Sequence, residues 1–147
     1  MATIREGLSG LEYFKRMVAG EVPAPAMLAL LGIRLIEAEE GRVVFTGTVA
    51  PEHYNGMGVA HGGYAATLLD SACGCSVHSC LTATQAYTTL ELKVAYHKAL
   101  TRDTGLLRAE GRVLSIGRRA AFAEATLRDA SGRLFASATS TLLVMER

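Results

Sequence analysis

The sequence predicts an α+β fold in which one antiparallel sheet wraps around a single long, buried helix. The segment from Gly62 to about Cys80 is small or apolar on every side, which is typical of a helix buried all round. Four alternating segments follow it and a strand hairpin precedes it, as expected of strands with one face turned toward a core. The apolar face of such a sheet needs a cover, and this helix is the available one.

Two short helices are predicted before the sheet. The tetrapeptide "SGLE", Ser9 to Glu12, matches a capping box and predicts a helix from about Leu11 to Ala19. The stretch "PAPAMLALLG" predicts a second one that begins near Pro25 and ends at Gly32. We therefore expect one domain over residues 1–147, with residues 1–28 as an N-terminal helical extension.

The strands are predicted from alternation and turn residues. "IRLIEAEEGRVVFTGTVAP" indicates a hairpin turning at Glu40-Gly41. Later turns are expected at 115–117 and 130–132, where glycine ends each turn. In "YTTLELKVAYHK", alternation assigns one set of side chains to one face and a second set to the other. These sets are Leu90, Leu92, Val94 and Tyr96, and Thr89, Glu91, Lys93 and His97.

Composition excludes several classes of function. The 147 residues are 50% hydrophobic and 20% charged, with a net charge of +1. This balance gives no electrostatic reason to expect nucleic acid or an anionic membrane as a partner. No stretch of about 20 apolar residues is present to span a bilayer. Three cysteines and an N-terminal segment that resembles neither a secretory nor a mitochondrial signal favour the cytoplasm.

One carboxylate is isolated in the most apolar part of the chain. Asp70 is the only Asp, Glu, Lys or Arg between Glu52 and Glu91. An unpaired buried carboxylate is costly, so it needs hydrogen bonds, a shifted pKa or contact with water. Two interpretations stay open here: a structural acid bonded to Ser71, Thr67 or a backbone amide, or a general base or nucleophile in a cleft.

The loop before the helix favours the second interpretation. "NGMGVAHGG" supplies Asn55 and His61 and places Gly62 and Gly63 at the helix start, where free N–H groups and a partial positive charge suit an oxyanion. Gly62 and Asp70 are eight residues apart, about 12 Å along a helix at 1.5 Å per residue. If both serve one reaction, Asp70 must come from a second copy, which predicts a dimer.

The pattern Asn55-x2-Gly58-x2-His61-Gly62-Gly63-x6-Asp70, followed by "TTLELKVAYHKAL", resembles the PaaI-like acyl-CoA thioesterases of the hotdog fold. The later "SIGRRAAFAEATLRDASGRLFASATSTLLV" is similar to the closing strands of that family. The resemblance implies hydrolysis of a coenzyme A thioester, with no metal and no redox cofactor. It also implies a homodimer as the minimal unit and a homotetramer built from two dimers.

The resemblance assigns roles by position. Asp70 matches the catalytic acid, as nucleophile or as base for water, and Gly62 matches the residue whose amide polarises the thioester carbonyl. Asn55 matches a side chain that places substrate or water, and Thr89 falls where the family has a hydroxyl near the attacking water. Asn and Gly would come from one subunit, and the acid and hydroxyl from its neighbour.

The other candidates keep two interpretations each. His61 is a base or, as we favour, a structural residue whose ring bonds within its loop, while Gly63 is expected to contact substrate. Arg118, Arg119 and Lys98, like Arg102, are expected to meet CoA phosphates or to be solvated turn residues. Cys73 and Cys75 point about 200° apart on a helix, so Cys73, Cys75, His78 and Cys80 are expected to bind no zinc.

Two rival functions use the same fold. Hotdog-type hydration or dehydration of acyl thioesters usually pairs a histidine with an acid, and here the only acid lies two turns beyond His61. A non-catalytic acyl-CoA-binding module would not require Asp70. For the thioesterase, small and apolar residues predict an aromatic or medium-chain acyl group. These are Met57, Ala65, Ala66 and Leu69.

Overall fold

The structure, a computed structural model, describes residues 7–147 as a six-stranded antiparallel sheet with three α-helices. The strands are β1 (Arg34–Glu39), β2 (Arg42–Thr48), β3 (Gln85–Tyr96), β4 (Leu106–Ile116), β5 (Ala120–Asp129) and β6 (Leu134–Glu146). The helices are α1 (Gly10–Val18), α2 (Ala26–Leu30) and α3 (Gly62–His78). In the sheet the strands follow the order β1-β2-β4-β5-β6-β3, so β3 lies at one edge and pairs only with β6.

Helix α3 packs against one face of this sheet, in contact with five of its strands, which confirms the predicted α+β class. It ends two residues before the predicted boundary, because Ser79 is its C-cap. The closest approach is at Gly111 of β4, where a side chain would overlap the Ala72 carbonyl. The core consists of fully buried side chains from the helix and the strands around it. Examples are Leu68, Leu69, Val77, Val43, Phe45, Leu107, Leu127 and Leu142.

The three predicted turns are confirmed. Glu40-Gly41 joins β1 to β2, with Gly41 at φ 77°. Between β4 and β5, the Gly117 amide donates to the Ala120 carbonyl at 2.8 Å. Between β5 and β6, an oxygen of Asp129 accepts from two amides of its own turn and holds it closed.

The N-terminal segment is packed into the core at the far end of α3 from Gly62. Both bonds of the predicted capping box are present: the Ser9 hydroxyl accepts from the Glu12 amide, and the Glu12 carboxylate accepts from the Ser9 amide. Tyr13 and Phe14 of α1 are buried, and the Phe14 ring lies edge-on to His78 at 5.0 Å. Residues 1–6, the start of the predicted extension, lie outside the described residues. Among the described ones, no helix combines the length and apolar character needed to cross a bilayer.

Ion pairs join β1, β2 and β4 through Arg42, whose side chain is 16% exposed. It bonds Glu37 at 2.9 Å and Glu110 at 3.0 Å. Burial raises the pKa of the Glu110 carboxyl, but bonds from Arg42 and Arg112 outweigh burial and hold that pKa below its ordinary value. Bonds from Arg108 and Arg42 likewise lower the pKa of Glu37.

We expect Arg42→Gln to lower stability in a pH-dependent way. Carboxyls with a lowered folded pKa stabilise the fold above their ordinary value of 4.5, and that contribution is lost as the pH falls through the folded pKa. The variant should therefore melt about 2–4 °C lower at pH 7. The difference in melting temperature between the variant and wild type should become smaller below about pH 4. Thermal melts from pH 7 to pH 3 measure it, with Arg128→Gln as control, since Arg128 bonds only a carbonyl. A gap independent of pH would contradict the prediction.

Candidate active site

The Asp70 carboxylate faces β3, the strand at one edge of the sheet, and it is partly exposed. Its oxygen Oδ1 accepts a hydrogen bond from Thr89 Oγ1 of β3 at 3.0 Å. Neither neighbour named in the structural interpretation bonds it: the Thr67 hydroxyl donates to the Gly63 carbonyl at 2.8 Å instead. Within residues 7–147, Thr89 is the only hydrogen-bond donor to this carboxylate, so its second oxygen is available to water or a ligand.

A β-bulge in β3 directs Thr89 toward Asp70. The pairing with β6 shifts register between Thr89 and Glu91, and Thr89 lies opposite the buried Leu142. Thr89 thus shares the helix-facing side with Leu92, which packs on the core, whereas strict alternation placed the two on opposite faces. That prediction was wrong because a bulge inserts one extra residue into the strand. The side chains before the bulge then lie on the opposite face of the sheet from the one that strict alternation predicts. Leu90, predicted on the apolar face, is 60% exposed.

At the start of α3, one backbone amide has no acceptor among the residues that the structure describes. His61 is the N-cap, and its Nδ1 accepts from the Gly63 amide at 2.8 Å. Its carbonyl accepts from the Tyr64 amide at 2.9 Å. No acceptor within the described chain bonds the Gly62 N–H. The Gly62 amide is therefore available to a ligand. The Gly63 amide is not, because it already donates to the His61 ring, which makes a structural bond at its own helix start.

The side-chain oxygen of Asn55 is hydrogen-bonded within its own loop, whereas its side-chain nitrogen is available to a ligand. The side-chain oxygen accepts from the Met57 amide at 2.8 Å and from the Val59 amide at 3.4 Å. The Asn55 backbone amide donates to the Val59 carbonyl at 2.8 Å. Within residues 7–147 the Nδ2 group has no acceptor, so Asn55 is equipped to donate a hydrogen bond to a carbonyl or a water.

The amide and the carboxylate lie on one unbroken helix. Eight residues of α-helix separate Gly62 from Asp70 by about 12 Å along the axis. An Asp side chain reaches only a few ångströms from its backbone, so within one chain these two groups cannot act on the same carbonyl. The structure therefore brings Asp70 to Thr89 and keeps both apart from Gly62.

A cavity of about 310 Å³ lies beside Gly62. Lys98 is among its lining residues, and so is the predicted Ala65. Two other predicted lining residues are elsewhere, because Leu69 is buried in the core and Met57 is 87% exposed in its loop. The remaining apolar wall comes from residues just before α3, just after β3 and at the start of β6. These are Ala60, Ala99, Leu100, Phe135 and Ala136.

The two predicted arginines line a different groove. Arg118 and Arg119 follow β4 and border a groove of about 390 Å³ beside residues 143–146 of β6. Glu146 lines it as well. Of the four cations predicted to meet CoA phosphates, which include Arg102, Lys98 alone lines the cavity at Gly62.

The cysteines in and after α3 differ in exposure. Cys73 is buried, and burial, together with the carboxylates of Asp70 and Glu124, raises the pKa of its thiol to about 12. Cys75 and Cys80 are half-buried. In the part of the chain that the structure describes, no three His, Cys, Asp or Glu side chains converge as metal ligands.

Sequence reasoning missed a contact of Tyr96. Its hydroxyl donates to the Gly62 carbonyl at 2.8 Å across 34 positions of sequence. Alternation in β3 indicates only that Tyr96 shares a face with Val94, and nothing in the sequence indicates a bond to the helix start.

Comparison with known proteins decides the family. The model of the thioesterase superfamily matches residues 57–136, which is more than half of the chain and includes Gly62, Asp70 and Thr89. The chain belongs to the thioesterase superfamily. The resemblance of the sequence to thioesterases is thereby confirmed. No curated protein matches the chain.

Solved structures of this family confirm the hotdog fold. A thioesterase family protein from Silicibacter pomeroyi is 26% identical, with 91% of this chain and 99% of that one covered at a TM-score of 0.80. A phenylacetic acid degradation-related protein from Ralstonia eutropha is 28% identical, with 89% and 98% covered and a TM-score of 0.80. A Streptococcus mutans protein bound to acetyl CoA is 28% identical, with 78% and 90% covered and a TM-score of 0.71.

Proposed function

We propose that this thioesterase-superfamily chain hydrolyses acyl-CoA thioesters to a free acid and CoA. The observation that carries the proposal is the partly exposed Asp70 carboxylate, held by Thr89 of the edge strand, on a helix whose first amide, at Gly62, has no acceptor within residues 7–147. The Streptococcus mutans relative, bound to acetyl CoA, supports CoA as the handle of the substrate.

The chemistry follows from these groups. The Gly62 N–H, at the positive end of the α3 dipole, donates to the thioester oxygen and stabilises the negative charge that develops there. Asp70 either removes a proton from the attacking water or attacks the carbonyl carbon itself, forming an anhydride that water then opens. The carbon–sulfur bond breaks, and CoA leaves as a thiolate that takes up a proton. Thr89 orients the carboxylate, and Asn55 donates to substrate or water.

The reaction centre in this proposal is shared between two copies. The 12 Å spacing along α3 separates donor from acid within one chain, so Asp70 and Thr89 act on a thioester held by Gly62 and Asn55 of the partner. Two features support a dimer: Asp70 is partly exposed beside β3, and β3 leaves a twelve-residue edge available for pairing. By the family resemblance, two such dimers form a homotetramer.

The substrate fits an apolar cavity next to a cation. We assign the acyl group, aromatic or medium-chain, to the 310 Å³ cavity beside Gly62. Lys98, Arg118 and Arg119 are assigned to the CoA phosphates. No step requires a metal or a redox cofactor. Within the described residues Cys73, Cys75 and Cys80 form no disulfide, which fits a reducing compartment, so we propose the cytoplasm.

A panel of acyl-CoAs tests this function. With a thiol-reactive dye, the thioesterase releases free CoA from aromatic or medium-chain substrates. A crotonyl-CoA arm distinguishes the hydratase, which changes the enoyl absorbance and releases no thiol. Binding of the panel with neither signal would indicate a non-catalytic acyl-CoA-binding module. Either of these last two outcomes would refute the proposed hydrolysis.

A further inference from the structure

We infer that Tyr96 is a positioning residue that fixes the Gly62 amide in the direction needed for the reaction, an inference that rests on the proposed function. Tyr96 ends β3 and lines the cavity at the start of α3. Its hydroxyl donates to the Gly62 carbonyl at 2.8 Å. Tyr96 therefore binds Gly62 through the carbonyl of this residue and leaves the Gly62 N–H available to a ligand.

The bond from Tyr96 completes a set of restraints on both sides of Gly62. The peptide group before Gly62 is held through its carbonyl, that of His61, which accepts from the Tyr64 amide at 2.9 Å. The peptide group after Gly62 is held at both ends: its N–H, on Gly63, donates to the His61 ring, and its carbonyl accepts from Tyr96 in addition to the helical bond from the Ala66 amide. Of the polar groups in these two peptide groups, only the Gly62 N–H has no partner within residues 7–147.

The close packing of Tyr96 explains why position 62 is glycine. Gly62 is not among the glycines with positive φ, so backbone conformation does not require glycine there. A Cβ at this position would lie 3.0 Å from the Tyr96 hydroxyl and 3.1 Å from the ring carbon that bears it. Glycine therefore makes room for the tyrosine, which lies against the helix start.

Such a restraint matters because two consecutive glycines begin the helix. Glycine has the greatest backbone freedom, and helix ends fray. An oxyanion donor works when it is already aimed at the charge that develops in the transition state. Without the phenol bond, the Gly62 amide would sample other directions, which lowers turnover more than substrate binding.

The test is Tyr96→Phe, which keeps the ring and removes only the hydroxyl. Its matched control is Tyr64→Phe, which also removes a phenol-to-carbonyl bond. Tyr64 lies in the same turn of α3 as Gly62, and its hydroxyl donates to the Thr48 carbonyl at 3.2 Å. We expect kcat for a saturating acyl-CoA to fall about tenfold in Tyr96→Phe, with KM within about twofold. Turnover by the control should match wild type. In ¹⁵N–¹H spectra of the full chain, the Gly62 amide peak should shift and broaden only in Tyr96→Phe.

Three outcomes would overturn the inference: kcat within twofold of wild type, an unchanged Gly62 amide peak, or a loss of activity that accompanies a greater loss of melting temperature than in the control. These results are separable from failure of the proposed function. A wild-type chain that releases no CoA refutes hydrolysis, whereas the Gly62 amide peak still reports whether Tyr96 restrains this residue.

Discussion

Replacing Asp70 with Asn should lower kcat by about 10²- to 10⁴-fold, the range for loss of a general base or nucleophile, without unfolding the chain. Asparagine has nearly the same shape and keeps an oxygen that can accept the 3.0 Å bond from Thr89. The contact between α3 and β3 therefore survives. What disappears is the charge, and with it the ability to accept a proton from water or to attack the thioester. KM should change little, because the carboxylate acts after the substrate is held.

The measurement is acyl-CoA turnover at saturation, with the melting temperature and the oligomeric state determined on the same samples. Asp103→Asn is a matched control, since it removes an exposed carboxylate from a short turn after β3. Near-normal turnover by a folded Asp70→Asn variant would sink the assignment of the acid. A variant that loses its oligomeric state as well as its activity would show instead that Asp70 is structural.

The overall architecture could be predicted because local signals and packing agree. The apolar character all round α3 requires burial, and the glycines at positions 41 and 132 mark turns where the structure has them. The order of strands was not predictable in the same way. β3 pairs with β6, which lies dozens of residues later in the sequence, and not with β4, the next strand along the chain. Such pairing depends on the whole sheet, and no local pattern encodes it.

Sequence reasoning named candidate site residues but not their geometry. The family resemblance assigned Asp70 and Thr89 to one subunit, and in the structure the two side chains lie within hydrogen-bonding distance. The bulge that makes this possible interrupts the alternation of β3 after Thr89, and period-two reasoning assumes that no residue is inserted. The partner of the Gly62 carbonyl was missed for a similar reason, because the contact with Tyr96 is tertiary.

Strand β3 connects the two halves of the proposed reaction centre. Near its middle, Thr89 holds the acid, and at its last residue Tyr96 holds the residue that carries the oxyanion donor. The same strand forms the edge of the sheet. A dimer that pairs this edge would connect four groups, two from each copy, through two hydrogen-bonded strands. A shift in β3 register would therefore disturb the acid and the amide donor together.

A second large effect is expected from Gly62→Pro, which deletes the proposed oxyanion donor. Proline is favoured at the first position of a helix, and His61 has φ −60° and ψ 136°, a conformation compatible with a following proline. The substitution thus removes the N–H at position 62, and the backbone conformation there is compatible with the proline ring. Loss of one oxyanion donor typically costs about 10²- to 10³-fold in kcat. Gly62→Ala is the control, because its Cβ meets the same Tyr96 hydroxyl at 3.0 Å but the amide remains.

Mixing Gly62→Pro with Asp70→Asn then tests whether two chains share the site. In a mixed dimer, one site receives the intact amide of the Asp70→Asn chain and the intact acid of the Gly62→Pro chain, and the other site receives both defects. Random pairing makes half of the dimers mixed, so co-refolded variants should recover about a quarter of wild-type activity. Each variant refolded alone should stay at or below about 1% of wild-type activity. If the mixture stays inactive while native mass spectrometry shows mixed dimers, the amide and the acid do not meet across the interface, and a shared reaction centre is excluded.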